Sequence, residues 1–240
     1  MTLSSAADQI LIRADGGVIL DRQVAQRPDI VVRPALPSDL WASELVYHSA
    51  PTAFAALAGS AGRARAILAD VWSLPGHSAS FEFAWIAETN GRPAGVIVAF
   101  PARSRYRIHG GLWLRGLRAL PAWRWPLLTG ALWQLAVQTP RPPRRSFYIA
   151  AIAVVAPLRN HGVGSGLVAE VELRARDAGF KSLAAATGSR YLLVRSALEH
   201  RGFRVLSERP RGYVMYVKDL ADDDKRPAEV HPDTTPVQSH

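Results

Sequence analysis

The stretch from residue 147 to 178 limits what this chain can fold into more than any other. An apolar run, Phe147 to Val155, meets a turn reading Arg159-Asn160-His161-Gly162-Val163-Gly164-Ser165-Gly166, and a helical pattern follows from Leu167 to Gly179. A short apolar run bounded by turn residues reads as a buried strand. A buried strand that feeds a glycine-rich turn and then a helix is a place to hold a phosphate. Backbone N–H groups with no intrahelical partner point outward there, and the helix dipole adds partial positive charge. Gly162, Gly164 and Gly166 permit positive φ and let an anion approach the backbone with no Cβ in the way. Arg159 and His161 stand beside it to add charge or hydrogen bonds.

The kind of phosphate ligand can be narrowed. A P-loop needs Lys and then Ser or Thr after its last glycine, and Leu167 and Val168 follow Gly166 here. The dinucleotide pattern GxGxxG fails by one residue, because its third glycine falls on Leu167. What fits is Arg/Gln-x-x-Gly-x-Gly/Ala, matched by Arg159, Gly162 and Gly164. With the preceding Ile152-Ala153-Val154, this closely resembles the acetyl-CoA-binding segment of the GNAT N-acetyltransferase superfamily. The resemblance implies that Arg159, Asn160, His161, Gly162, Val163, Gly164 and Ser165 cradle the CoA pyrophosphate. It also implies that Ile152, Ala153 and Val154 hydrogen-bond the pantetheine arm, with Tyr191 near the cofactor from a later helix.

The remaining features fit a globular domain. Of 240 residues, 48% are hydrophobic and 20% charged, the balance of a soluble protein with a sizeable core. With no cysteine, disulfides, thiolate nucleophiles and cysteine–metal sites are excluded. The first residues lack the basic region and apolar run of a signal peptide. The most apolar long window, Leu112 to Val137, is interrupted by Arg115, Arg118 and Arg124, which argues against a membrane span. Cytoplasm is the expected location. The net charge of +9, from 29 basic and 20 acidic residues, attracts polyanions in general. The arginines are spread from Arg13 to Arg226 without a recognised nucleic-acid module, so no specific nucleic-acid partner is expected. No histidine pair has metal-ligand spacing, and no metal is expected.

Along the chain, residues 1–29 read as an extension, with Ile10-Leu11-Ile12 and Val18-Ile19-Leu20 flanking Asp15-Gly16-Gly17 as a small hairpin. The expected domain covers 30–220. It opens with a strand at Ile30-Val31-Val32-Arg33-Pro34, then a helix capped by Ser38-Asp39 and running from Leu40 into the fifties. A second helix is expected over Arg63 to Trp72, and a hairpin of Phe81–Ala87 and Ala94–Phe100 around Asn90-Gly91. After the phosphate helix come a strand at Ser182–Thr187, a helix at Tyr191–Arg201, and a closing strand pair at Phe203–Ser207 and Arg211–Val217. Residues 221–240, with Asp222-Asp223-Asp224 and little apolar content, read as a disordered tail. The order of elements matches the α/β (α+β) class: a mixed, twisted sheet flanked by helices, the GNAT acyl-CoA N-acyltransferase fold. The segment 103–145 is long for a strand connection. Its tryptophans and leucines read as one or two inserted helices, serving as core packing, a homodimer face, a substrate wall or, with arginines among the tryptophans, a membrane-surface contact. No charge pattern in the first half or this insertion singles out a substrate.

The chemistry the resemblance implies is direct transfer of an acetyl group from acetyl-CoA to a primary amine of a small molecule or protein. The tetrahedral oxyanion needs a donor, which in the family is a backbone N–H on the splayed strand; Val154 is the matching position. The base is open among Tyr148 on the central strand, Glu82 on the first hairpin strand, Glu88, His109 and a water chain. The superfamily often places Tyr four residues before the Gly-Phe seen here as Gly202-Phe203, and that position is Leu198. The loss leaves a second reading, a CoA-binding module of the same fold with lost or weak catalysis.

Overall fold

A computed structural model describes residues 11–12, 18–19, 29–119, 122, 125–210 and 212–220. Two short strands, Leu11–Ile12 (β1) and Val18–Ile19 (β2), pair antiparallel in the register of a small hairpin. Its turn lies outside the described residues, as does the tail from 221 onward.

The main sheet begins at Ile30–Pro34 (β3). Three helices follow, Trp41–Ser49 (α1), Pro51–Ala58 (α2) and Ala61–Trp72 (α3). The single helix expected from Leu40 into the fifties is thus two. Ala50 leaves helical geometry at φ −152°, and Pro51, which has no N–H to lose, takes the first position of α2. Nor do Ser38-Asp39 cap α1. The Asp39 carboxylate accepts from Leu36 N–H at 2.7 Å and from both Arg33 guanidinium nitrogens at 2.8 and 3.0 Å. Burial pushes that carboxyl up, but Arg33 and the Leu36 N–H outweigh it and hold it below its ordinary value.

Ala84–Thr89 (β4) and Arg92–Pro101 (β5) form the expected hairpin, with both Asn90 (φ 51°) and Gly91 (φ 69°) left-handed, as a two-residue turn of this twist requires. Phe81–Phe83, read as strand from its aromatic content, is instead a turn of 3₁₀ helix whose first N–H groups are met by the Ser80 hydroxyl, 3.1 Å from Glu82 N. The inserted segment forms two helices, Arg105–Ala119 (α4) and Trp125–Gln138 (α5). Then come Phe147–Val154 (β6), Val163–Asp177 (α6), Ser182–Gly188 (β7), Leu192–Glu199 (α7), Arg204–Glu208 (β8) and Tyr213–Asp219 (β9).

The seven strands lie in the order β3-β4-β5-β6-β7-β9-β8. Only β6 and β7 are parallel; a parallel pair needs a helix-length crossover, and α6 supplies it. One face carries α1, α3 and α4 over a core of Trp72, Ile86, Val96, Val98, Phe100 and Met215. The other carries α6, whose Val163, Leu167, Val168 and Val171 bury against Ile97, Ile149, Leu183 and Tyr216. Gly95 lets α6 lie this close: a Cβ there would stand 3.0 Å from both Ala153 O and Leu167 Cδ1. The α7 helix has no buried residue, and Leu192, Leu193 and Val194 are exposed.

Candidate active site

The sheet is split at its centre. β6 pairs with β7 only at Phe147, Tyr148 and Ile149, although β6 continues to Val154 and β7 to Gly188. The cause is visible in the next ladder, where Val98 faces Ala151 but Ala99 faces Ile149. Ala150 is the extra residue of a bulge, and a bulge bends and twists its strand. Beyond it β6 stays with β5 and parts from β7. Val155 N–H bonds Ala94 O at 2.9 Å. By strand alternation, the N–H groups of Ile152 and Val154 therefore point away from β5, into the gap, while that of Ala153 points back to β5.

The open end of this gap meets the glycine-rich turn. Arg159 Nε donates to Val154 O at 3.2 Å, and the His161 ring meets Arg159 O at 2.7 Å. Asn160 (φ 65°) and Gly162 (φ 88°) are both left-handed and reverse the chain. Helix α6 starts at Val163, four residues before the sequence pattern becomes apolar, so Gly164, Ser165 and Gly166 form its first turn. The first ladder bond is Gly166 N–H to Gly162 O, and no side chain caps the helix. Its leading N–H groups are left for an anion. Gly164 is helical, and a Cβ there would sit in ordinary contact, 3.6 Å from Arg201 Nη2 and 3.7 Å from Val154 Cγ2. The protein therefore leaves a methyl-sized space beside Gly164, between Arg201 and Val154.

Arg201 is a member of this site that the sequence did not point to. Its Nη2 donates to Ser165 Oγ at 2.8 Å and its Nη1 to Ala197 O at 2.8 Å, while its buried Nε has no partner. It stands 36 residues from Ser165, and only the fold brings them together. Across the gap, Tyr191 is exposed and its ring lies against Gly188, where a Cβ would be 2.9 Å away. Leu198 packs into the α6-side core.

On the α4 side of the gap's closed end stands Tyr148, buried, with its ring 5.9 Å from that of Phe100 and 6.0 Å from the Arg105 guanidinium carbon. Burial pushes its hydroxyl above the ordinary value, against the opposing pull of Arg105. His109 stacks edge-on to Phe100 at 5.5 Å and its Nδ1 meets Ser78 Oγ at 2.9 Å. Burial, then Arg105, pushes His109 down to about 4. The structure does not gather Glu82 with these groups. It is exposed on the 3₁₀ turn rather than on a strand, and its carboxylate accepts from Gly76 N–H at 2.8 Å. Glu88 is paired with Arg33 at 2.7 Å. A separate groove of about 640 Å³, lined by Trp133, Val137, Pro140, Arg141 and Glu208 among others, contains no residue of the expected site.

A split parallel pair leading into an uncapped helix N-terminus coincides with a match in sequence: the model of the acetyltransferase (GNAT) family covers residues 60–203. The chain belongs to the GNAT family. No curated protein matches it in sequence. Its GNAT fold is similar to a crystal structure of an acetyltransferase, with TM-score 0.60 and 16% identity over 80% of this chain and 100% of that one. It is similar also to an N-acetyltransferase from Staphylococcus aureus Mu50, with TM-score 0.61 and 14% identity over 78% and 99% of the two chains. A GNAT family acetyltransferase from Elizabethkingia anophelis with acetyl-CoA bound aligns at TM-score 0.48 and 15% identity, over 80% of this chain and 98% of that one. At such identities the likeness shows the fold. The mixed seven-stranded sheet with flanking helices is the one the resemblance implied. Among the described residues, no helix is long and apolar enough to cross a membrane, and no cluster of three or more His, Cys, Asp or Glu is placed to hold a metal ion.

Proposed function

We propose that the chain transfers an acetyl group from acetyl-CoA to a primary amine by direct attack. The observation that carries this reading is the gap between β6 and β7, whose free N–H groups run straight into the uncapped first turn of α6. The pyrophosphate would lie on the N–H groups of Val163, Gly164 and Ser165, flanked by Arg159, Asn160, His161, Gly162 and Arg201. The pantetheine amides would pair with Ile152 and Val154 as a third strand between β6 and β7, while Ala153 between them, expected to join in, is held by β5, and Tyr191 stands on the far bank. The amine attacks the thioester carbonyl and the carbonyl oxygen becomes an oxyanion. Val154 N–H, or Ile152 N–H one step nearer the closed end, donates to it; losing one such donor typically costs about 10²–10³ in rate.

On the α4 side, His109 is held neutral and weakly basic by burial and Arg105, so the proton of the attacking amine is left to solvent. Tyr148, held protonated, is suited to donate to the departing thiolate rather than to act as a base. The test is thiol release from acetyl-CoA across a panel of amines. Turnover with any amine, weakened tenfold or more in Tyr148→Phe, supports the assignment. A second reading is favoured by Leu198, which is built into the core where the family often has Tyr: a CoA-binding module with weak catalysis. Acetyl-CoA binding without turnover on any amine would select it.

A further inference from the structure

The charge of this chain is concentrated in one place. From Thr89 to Ala169, 81 residues contain eleven arginines and no Asp or Glu, leaving 18 basic and 20 acidic residues elsewhere. The net +9 therefore belongs to β5, the inserted helices, β6 and the turn after it. Outside this stretch six of the described arginines find carboxylates, Arg33, Arg65, Arg174, Arg176, Arg195 and Arg204, although Arg201 does not. Among the described residues, no arginine inside it has a carboxylate partner; Arg115 bonds Pro75 O and Arg159 bonds Val154 O.

Arg105 is the extreme case. It opens α4, is 9% exposed, and directs its Nη2 to Tyr106 Oη at 3.1 Å with its guanidinium 4.8 Å above the Tyr106 ring. On its other side is the Tyr148 ring, at the closed end of the gap. Tyr106 is 65% exposed, so solvent reaches this corner. Arg141 also acts on the Tyr106 hydroxyl, and the two arginines together hold that phenol below its ordinary value. A guanidinium has five donors, and a buried cation without a counterion is costly to the fold. A guanidinium turned to a neutral phenol, with a second arginine acting on the same oxygen and no carboxylate partner for either among the described residues, makes a receptor for an oxyanion.

Resting on the acetyltransferase reading above, we propose that the acceptor amine carries a carboxylate or phosphate, and that Arg105 and Arg141 bind this anion on the α4 side of the gap while the amine reaches the closed end beside Tyr148. The same charge repels polyamines.

The experiment compares propylamine, 4-aminobutyrate, O-phosphoethanolamine and putrescine as acceptors in thiol release from acetyl-CoA, in the full-length protein. The expected result is a kcat/KM for the anionic amines about ten- to a hundredfold above propylamine, the range of a charge-assisted hydrogen bond, with putrescine lowest. The anionic-to-neutral ratio should fall toward one in Arg105→Gln and be partly kept in Arg105→Lys. Arg141→Gln, at an exposed position, should lower the ratio several-fold without loss of folding. Propylamine or putrescine as the better acceptor, or a ratio that survives both neutral variants, would overturn the proposal. If acetyl-CoA gives no turnover at all, the acetyltransferase reading fails, and the anion site is judged separately by melting. O-phosphoethanolamine should then still raise the melting temperature of the wild type more than that of Arg141→Gln, and equal shifts would sink it.

Discussion

The two faces of the sheet reach charge balance in different ways. On the α6 face the protein supplies its own counterions: Glu170 pairs with Arg174, and Glu172 with both Lys218 and Arg176. Its apolar side chains close against the sheet, and only the first turn of the helix is left open. On the other face Arg65 of α3 pairs with Glu44 of α1, but Arg105 and Arg115 of α4 stand among phenols and carbonyls with no carboxylate partner. The first face is complete as protein except where a phosphate fits. The second leaves the α4 arginines open to an anion, as proposed above. On the reading proposed above, donor and acceptor sites lie on opposite faces of the sheet and meet at the gap in its middle.

Variants that act on one face alone break this comparison or sharpen it. The largest effect is expected at Gly95, where even the first added carbon meets Leu167 and Ala153 O at 3.0 Å. Gly95→Val should push α6 off the sheet and destabilise the protein by about 3 kcal/mol, with loss of acetyl-CoA binding, measured by chemical unfolding with and without the ligand. Gly111→Ala tests the other face. Its Cβ would lie 2.5 Å from Gly76 O, so α4 must shift against the loop after α3. A loss of about 1–3 kcal/mol is expected, with the stabilisation by acetyl-CoA retained. If that stabilisation disappears, the two faces are not independent.

A smaller effect is expected from pH. His109 is held near 4 by burial and then by Arg105, against an ordinary 6.5. Below the ordinary value the unfolded chain takes up a proton that the folded one refuses. Stability should therefore fall as pH drops from 6.5 to about 4, by at most about 1.4 kcal/mol per pH unit. His109→Gln should flatten the curve in that window, and an unchanged curve would mean that the fold does not hold this ring neutral.

Local patterns carried much of the fold. The Asn90-Gly91 turn, the strand from Phe147 and the order of helices and strands follow from periodicity and turn chemistry alone. The sequence pattern misses the start of α6 because Gly164 and Gly166 are poor helix formers, although both lie in its first turn, Gly166 close enough to Ile30 that an added Cβ would touch it. Phe81–Phe83 read as strand because three aromatic or acidic residues say nothing of the Ser80 hydroxyl that winds them into a turn. The split between β6 and β7 was implied only by resemblance, since one extra residue opposite Val98 and Ala99 leaves no trace in composition. Arg201 and Arg105 were out of reach for a different reason. Each acquires its meaning from groups far away in sequence, Ser165 for one and Tyr148 for the other. The acid-free run from 89 to 169 was legible throughout, but averaging charge over the whole chain hides it.

The most direct test of the central claim is thermal unfolding of wild type and Gly164→Val with acetyl-CoA, using NAD as the control ligand. A ligand at 100 times its dissociation constant adds about 2.7 kcal/mol, which the wild type should show as a raised melting temperature with acetyl-CoA and not with NAD. Gly164→Val should melt close to the unliganded wild type and gain nothing from acetyl-CoA, because its side chain fills the space between Arg201 and Val154. Equal stabilisation of both proteins would place the donor elsewhere and contradict the account.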